Sequence, residues 1–330
     1  MTEPKWIRRD PPGWDVPHDL LQAFEGGLDT ASPERSGSRA RVLGYGEIST
    51  VFEIDQDPFR GWAMKRMSVF TTLDEVMRYA ERYEEYNRLL TGSIGLNVPD
   101  HGYATVWSRS RRPILYLVQR KVASDAIATR AFRPLAVSEA QVCLRRILTE
   151  LQKVWEFNLR QTRFRVAIDG QLSNWALVDP GGPDSGTGFL YLDTSTPLYR
   201  VDEVEQLDPE LFLRSAPSFL VWILRLLFLK EVMERYYRPR RILLDLIANL
   251  YKEGLESLIP AALAEAEPVL VRWAGEDERR PFREQEIRAY YRQDAFIWTL
   301  FLSMRRFDRF LHRRVYRREY PYILPGVIRR

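Results

Sequence analysis

The sequence predicts an α+β protein of two lobes, a small antiparallel sheet carrying one helix, followed by a larger and mainly helical lobe. Three observations lead there. Short runs rich in β-branched and aromatic residues, broken by glycine and proline turns, crowd residues 40–118. Beyond Gln119 the apolar residues recur at helical spacing, as in Leu144, Ile147, Leu148, Leu151, Val154 and Trp155. With 330 residues, 45% of them apolar, the chain can fill a core for both lobes. The expected division is an N-terminal extension over 1–38, a sheet lobe over 39–119 and a helical lobe over 120–330.

The elements follow in order. The extension is rich in proline and glycine, with one short helix expected at 20–24. Stretches 41–51 and 52–55 read as two strands joined through the glycine turn of Gly44 and Gly46, and 62–67 as a third strand. Thr72, with Glu75 three residues on, marks a helix start, and the helix is expected over 71–90. Stretches 103–108 and 114–118 alternate as a hairpin. Later come a helix at 138–157, strands at 175–178 and 189–192 around a glycine-rich hairpin, and helices at 209–237, 242–258, 261–273 and 283–318. In the last helix Phe296, Leu300, Met304, Phe307 and Leu311 are expected inward. Arg305, Arg306, Arg309, Arg313, Arg314, Arg317 and Arg318 are expected in water, a reading that outweighs a nucleic-acid or acidic-substrate surface.

Composition narrows the function classes. Net charge is +4, with 45 acids against 49 bases, weak support for an acidic partner. The single cysteine, Cys143, excludes an internal disulfide and reads as a small core residue. The first seventeen residues lack the apolar core of a signal peptide, and the most apolar run, 219–229, is too short to span a bilayer. A cytoplasmic protein is the expectation. His18, His101 and His312 are too scattered for zinc.

A few residues stand out chemically. Gly44 and Gly46 lack Cβ atoms, so backbone there can approach phosphate oxygens. Lys65, one of only six lysines in the chain, falls in mid-strand, where an ammonium needs a partner. Glu81, Glu84 and Glu85 on the next helix are candidates, with Glu85 favoured. Asp169 and Asn174 are five apart just before a strand. A carboxylate there can orient an attacking hydroxyl, and Asn174 with Asp193 offers the hard oxygens Mg²⁺ prefers.

In this order and spacing the motifs resemble the protein-kinase-like superfamily, more closely its bacterial small-molecule branch, the aminoglycoside phosphotransferase and choline kinase relatives. The resemblance covers residues 40–200 by motif. It implies ATP and Mg²⁺ as cofactors, Gly44 and Gly46 in the phosphate-covering loop, and Lys65 on the α- and β-phosphates paired with Glu85. It further implies Asp169 as the catalytic aspartate, Asn174 and Asp193 as magnesium ligands, and Gln119 to Val122 as the hinge that meets adenine. The departures are Ser49 for the third loop glycine, Ala167 for the histidine two before the aspartate, and Thr194-Ser195-Thr196-Pro197 after Asp193. Ser218 follows Ala216-Pro217 where a protein kinase carries glutamate. The expected function is phosphoryl transfer to a small-molecule hydroxyl or amine. The alternatives are a pseudokinase acting through a protein partner, or transfer of AMP. The expected partners are a nucleotide and an unidentified acceptor, with no clear nucleic-acid or membrane signal.

Overall fold

The computed structural model describes residues 6–36, 40–46, 48–178, 188–214, 233–317 and 320–325. Glu47, Arg318, the hairpin tip at 179–187, and the stretch 215–232 with its apolar run and Ala216-Pro217-Ser218 lie outside the described residues.

The first lobe is a six-stranded antiparallel sheet in the order β1-β5-β6-β4-β3-β2. Its strands are β1 (Arg8–Arg9), β2 (Ala40–Tyr45), β3 (Ser49–Ile54), β4 (Trp62–Met67), β5 (His101–Trp107) and β6 (Pro113–Arg120). Helix α1 (His18–Gly27) precedes β2, and α2 (Leu73–Arg88) carries the chain from β4 to β5. Side chains alternate across a strand, so the two sheet faces bury different cores. Trp62 and Met64 join Phe52, Tyr116 and Val118 against Leu21, Phe24 and Leu28 of the N-terminal segment. Met67 instead joins Tyr79, Tyr83 and Tyr86 of α2 and the core of the second lobe. The N-terminal stretch, expected as an extension, thus supplies both an edge strand and a covering helix.

The second lobe is mainly helical, with α3 (Ala128–Ala131), α4 (Val137–Arg160), α5 (Glu210–Leu213), α6 (Pro239–Lys252), α7 (Ile259–Trp273) and α8 (Glu284–Phe310). Two small sheets are embedded in it. One joins β8 (Trp175–Val178) to β9 (Gly188–Tyr191), and the other orders β7 (Phe164–Val166), β10 (Tyr199–Val201) and β11 (Val204–Glu205). The two-lobed α+β expectation holds. No described helix is long and apolar enough to cross a membrane.

One expected face is reversed. Along α8, Phe296 is 67% exposed and Phe307 is 52% exposed, while Arg305 is buried. The buried stripe runs instead through Ile287, Leu302 and Arg305. Arg305 lies over the Tyr322 ring at 4.7 Å, so a returning C-terminal segment gives its guanidinium an aromatic partner that helical periodicity does not reveal.

Candidate active site

Lys65 lies in the middle of β4, paired in register with Val51 and Leu117, on the face turned towards α2. Its ammonium donates to Asp193 Oδ1 at 3.3 Å and to the Ser195 hydroxyl. Ser195 in turn donates to Asp193 Oδ1 at 2.8 Å. The Lys65 and Asp193 side chains keep 23% and 27% of their surface in contact with solvent, so the pair is neither sealed nor free. It links residues 128 apart in sequence across the two lobes.

The expected Lys65–Glu85 pair does not form. Glu85 grips Arg88 at 2.9 and 2.6 Å, and that guanidinium holds its carboxyl below the usual range. Glu84 accepts the Tyr103 hydroxyl at 2.6 Å and pairs with Arg9, and Glu81 is exposed. The cause is helical periodicity. Val76, Tyr79, Tyr83, Tyr86 and Leu90 form the buried stripe, and at 100° per residue Glu81 and Glu85 fall on the opposite side. The tyrosines bind the site instead of a carboxylate. Tyr79 donates to the Ser195 carbonyl at 2.8 Å and Tyr86 to the Ala167 carbonyl at 2.9 Å. Burial, with the negative charge of Asp193 second, raises the Tyr79 pKa and keeps it a donor. The spacing of 79, 83 and 86 was a readable signal for this stripe.

Asp169 and Asn174 are brought together by local hydrogen bonds. The Asp169 carboxylate accepts the Gln171 N–H at 3.1 Å, and its own N–H donates to the Tyr191 hydroxyl at 3.2 Å. Asn174 Nδ2 donates to the Asp169 carbonyl at 3.3 Å, and the Asn174 carbonyl accepts the Leu192 N–H at 2.8 Å. The β8–β9 pair, with Trp175 opposite Tyr191, thereby sets Asn174 beside Asp193 at one sheet end. Burial, then the carboxylates of Asp245 and Asp193, push the Asp169 pKa up to about 7.

Asp245 was not foreseen. It is buried on α6, accepts the Tyr290 hydroxyl at 2.9 Å, and its own pKa is raised by burial against the opposing pull of Arg235. A lone acid within Ile242-Leu243-Leu244-Asp245-Leu246-Ile247 was the available sign.

The glycine turn closes β2 against β3, with Tyr45 opposite Thr50 and the Gly46 N–H on the Ser49 carbonyl at 3.0 Å. A Cβ on Gly46 would stand 2.8 Å from Ser49 Oγ, whereas Gly44 faces open space. At the other end of the lobe, Gln119 is committed to the ladder opposite Ala63 and His101, and the Lys121 N–H takes the Gly61 carbonyl at 2.9 Å. Val122 follows half-buried in irregular chain.

Asn174 and Asp193 present hard oxygens, the chemistry Mg²⁺ takes, and one or two protein ligands suffice where substrate phosphates complete the shell. Among the described residues no cluster of three or more His, Cys, Asp or Glu side chains forms a metal site. Two such donors fit Mg²⁺ where other ligands complete its shell.

A family model described as a family of unknown function (DUF6206) matches residues 27–309. No curated protein matches the chain. Among solved structures, the chain is similar to WaaP in complex with acyl carrier protein, with 12% identity and a TM-score of 0.35, over 80% of this chain and 99% of that one. It is similar to the kinase domain of maize SIRK1, a sucrose-induced receptor kinase, bound to AMP-PNP. There the identity is 12% and the TM-score 0.39, over 82% of this chain and 96% of that one. The GDP complex of wild-type aminoglycoside 2′-phosphotransferase-IIIa gives 10% identity and a TM-score of 0.30, over 69% of this chain and 91% of that one. Overlaps this low carry no argument of their own. What stands on its own is the geometry: an antiparallel sheet with α1 on one face and α2 on the other, and a mid-strand lysine facing the carboxylate that follows a two-stranded hairpin in the helical lobe.

Proposed function

This chain belongs to the family of unknown function DUF6206, and we propose that it is an ATP- and Mg²⁺-dependent phosphotransferase acting on a small-molecule hydroxyl or amine. The observation that carries the reading is the 3.3 Å contact between Lys65 and Asp193, with Asn174 tied by its backbone to Leu192 and by its side chain to Asp169. Nothing in core packing calls for a partly solvated lysine, an asparagine and two aspartates at one point between lobes.

In this reading Lys65 leaves Asp193 to hold α- and β-phosphate oxygens, and Gly44 and Gly46 let the turn lie over the phosphates. Asn174 and Asp193 hold Mg²⁺, which when bound neutralises charge on the phosphates. Asp169 accepts a hydrogen bond from the acceptor group and aligns it with the γ-phosphorus. As the new P–O or P–N bond forms, the bond to the β–γ bridging oxygen breaks and the acceptor's proton passes to Asp169. Residues 119–122 are the proposed adenine contact, with Lys121 and Val122 following the end of the ladder at Arg120 and the Lys121 N–H already bonded to the Gly61 carbonyl.

Thermal unfolding with ATP, with and without Mg²⁺, tests this. ATP at 100 times its dissociation constant stabilises the fold by about 2.7 kcal/mol. We expect a Mg²⁺-dependent rise in melting temperature that Asp193→Ala removes. Asp169→Asn should keep that rise and lose transfer to an acceptor found by screening metabolites with labelled ATP. A wild-type protein indifferent to every nucleotide tried would sink the proposal. A nucleotide-binding module without transfer is the second reading, favoured by Glu85 lying away from Lys65; it predicts the thermal rise with no labelled product.

A further inference from the structure

A second cluster of cations lines a cavity that shares no residue with the Lys65–Asp193 site. The end of α8, the turn at 29–31 and the C-terminal segment enclose a cavity of about 150 Å³ lined by Arg309, Arg313, Thr30, Tyr320 and Tyr322, with Asp29 and Ala31 beside them. We propose that this cavity is a binding site for a phosphate-bearing anion, separate from the Lys65–Asp193 cleft.

Arg309 and Arg313 are four residues apart, a spacing at which like charges on a helix repel. Among the described residues neither makes an ion pair. The nearby acids are occupied, since Asp29 accepts the Ala31 N–H at 2.8 Å and Asp308 faces His312 at 3.3 Å. Tyr320 forms part of the wall. It is only 3% exposed, and its hydroxyl is out of solvent contact beside the Arg305 guanidinium. Its charged neighbours are the cations Arg305 and Arg309 and the acid Asp308. Burial, then Arg313 and Arg306, lower the Arg309 pKa, a strain that a bound anion relieves. Paired guanidinium forks suit phosphate oxygens, which accept bidentate bonds.

The wall of the site is anchored to the strand that carries Lys65. Thr30 Oγ1 donates to the Tyr320 carbonyl at 2.8 Å, and the next carbonyl, Pro321, accepts Arg66 Nη1 at 2.9 Å and Ser68 Oγ at 3.1 Å. An occupant therefore braces the C-terminal segment against β4.

Calorimetric titration of the full chain with inorganic pyrophosphate at fixed ionic strength tests the proposal. Wild type and Asp193→Ala should bind alike. Arg309→Ala/Arg313→Ala should weaken binding at least tenfold. The exposed Arg313→Ala alone, expected to leave the fold intact, should weaken it measurably. A phospholipid headgroup is the other source of the same chemistry. Cosedimentation with phosphatidylglycerol vesicles against phosphatidylcholine vesicles separates the two, and binding to the former that needs Arg309 and Arg313 supports a lipid-held phosphate. Pyrophosphate binding that survives the double variant, binding lost in Asp193→Ala, or no binding in either arm overturns the proposal. None of these outcomes bears on Mg²⁺-dependent nucleotide binding in the cleft.

Discussion

Lys65 and Arg66 are consecutive on one strand, yet they face opposite sides of the sheet and live under different rules. Arg66 is sealed. Its guanidinium forks onto Glu25 at 2.8 and 2.7 Å, takes the Pro321 carbonyl, and shares Glu25 with the Tyr116 hydroxyl at 2.6 Å. Both charged side chains are under 5% exposed. Lys65 keeps about a quarter of its surface in solvent and holds its carboxylate at 3.3 Å, a length that yields readily to a competing phosphate. A structural ion pair closes on itself. A pair meant for a ligand leaves a bond to exchange.

The largest effect should come from the sealed side. Glu25→Gln leaves Arg66 buried with no carboxylate, and breaking such a pair costs about 3–5 kcal/mol. Denaturant unfolding should show the midpoint falling with little change of slope. A loss under about 1 kcal/mol would mean that Arg66 is not sealed and would break the contrast.

The next effect belongs to the open side. Lys65→Met should change the stability of the nucleotide-free protein by less than about 1 kcal/mol, because partly solvated pairs contribute little. The same variant should lose most of the roughly 2.7 kcal/mol that saturating Mg·ATP supplies to wild type. A variant that unfolds easily without nucleotide would place Lys65 with Arg66 as a structural cation.

How much of this was legible depends on range. Strand 62–67 was readable to the residue because alternation is local, and the β8–β9 pair that sets Asn174 near Asp193 was readable to within one residue, its second strand being Gly188–Tyr191 and not 189–192. Glu25–Arg66 was not, because it joins α1 to β4 over 41 positions and nothing local marks Glu25 as buried. Glu85 misled for a different reason. Charges at 81, 84 and 85 follow helical spacing, but so do the tyrosines at 79, 83 and 86, and the tyrosines have more apolar surface to bury. On α8 the inward face was set by the C-terminal segment, whose return no periodicity encodes.

Asp169 sharpens the comparison through pH. Its folded pKa, about 7, stands above the ordinary 3.8, so between those values the folded state holds a proton that the unfolded state has released. Its contribution to stability is therefore largest below pH 4 and is lost as pH rises towards 7, and Asp245 acts in the same direction. Orienting a nucleophile needs the carboxylate, so transfer should rise over the range in which this contribution falls. Asp245→Asn removes one of the charges that raise Asp169. It should move the activity limb to lower pH and flatten the stability slope; an unmoved limb would detach Asp245 from the site.

The smallest effect tests whether α2 is held at its start as well as along its tyrosine face. Thr72 Oγ1 caps the helix by accepting the Glu75 N–H at 3.3 Å. Glu75 accepts the Thr71 N–H at 2.8 Å and Arg214 Nη1 and Nη2 at 2.8 and 2.9 Å, a fork that ties the helix to the second lobe. That guanidinium holds the Glu75 pKa down to about 2, so the link is complete above pH 4.5 and fades as pH falls towards 2. Thr72→Ala should cost about 1 kcal/mol at neutral pH, the worth of one cap, and Glu75→Gln a similar amount that shrinks in acid. Neither variant touches Lys65 or Asp193. If either lowered nucleotide affinity by more than its stability cost explains, the start of α2 would be positioning the Tyr79–Ser195 contact, and the division between sealed scaffold and open site would run along the helix instead of across the sheet.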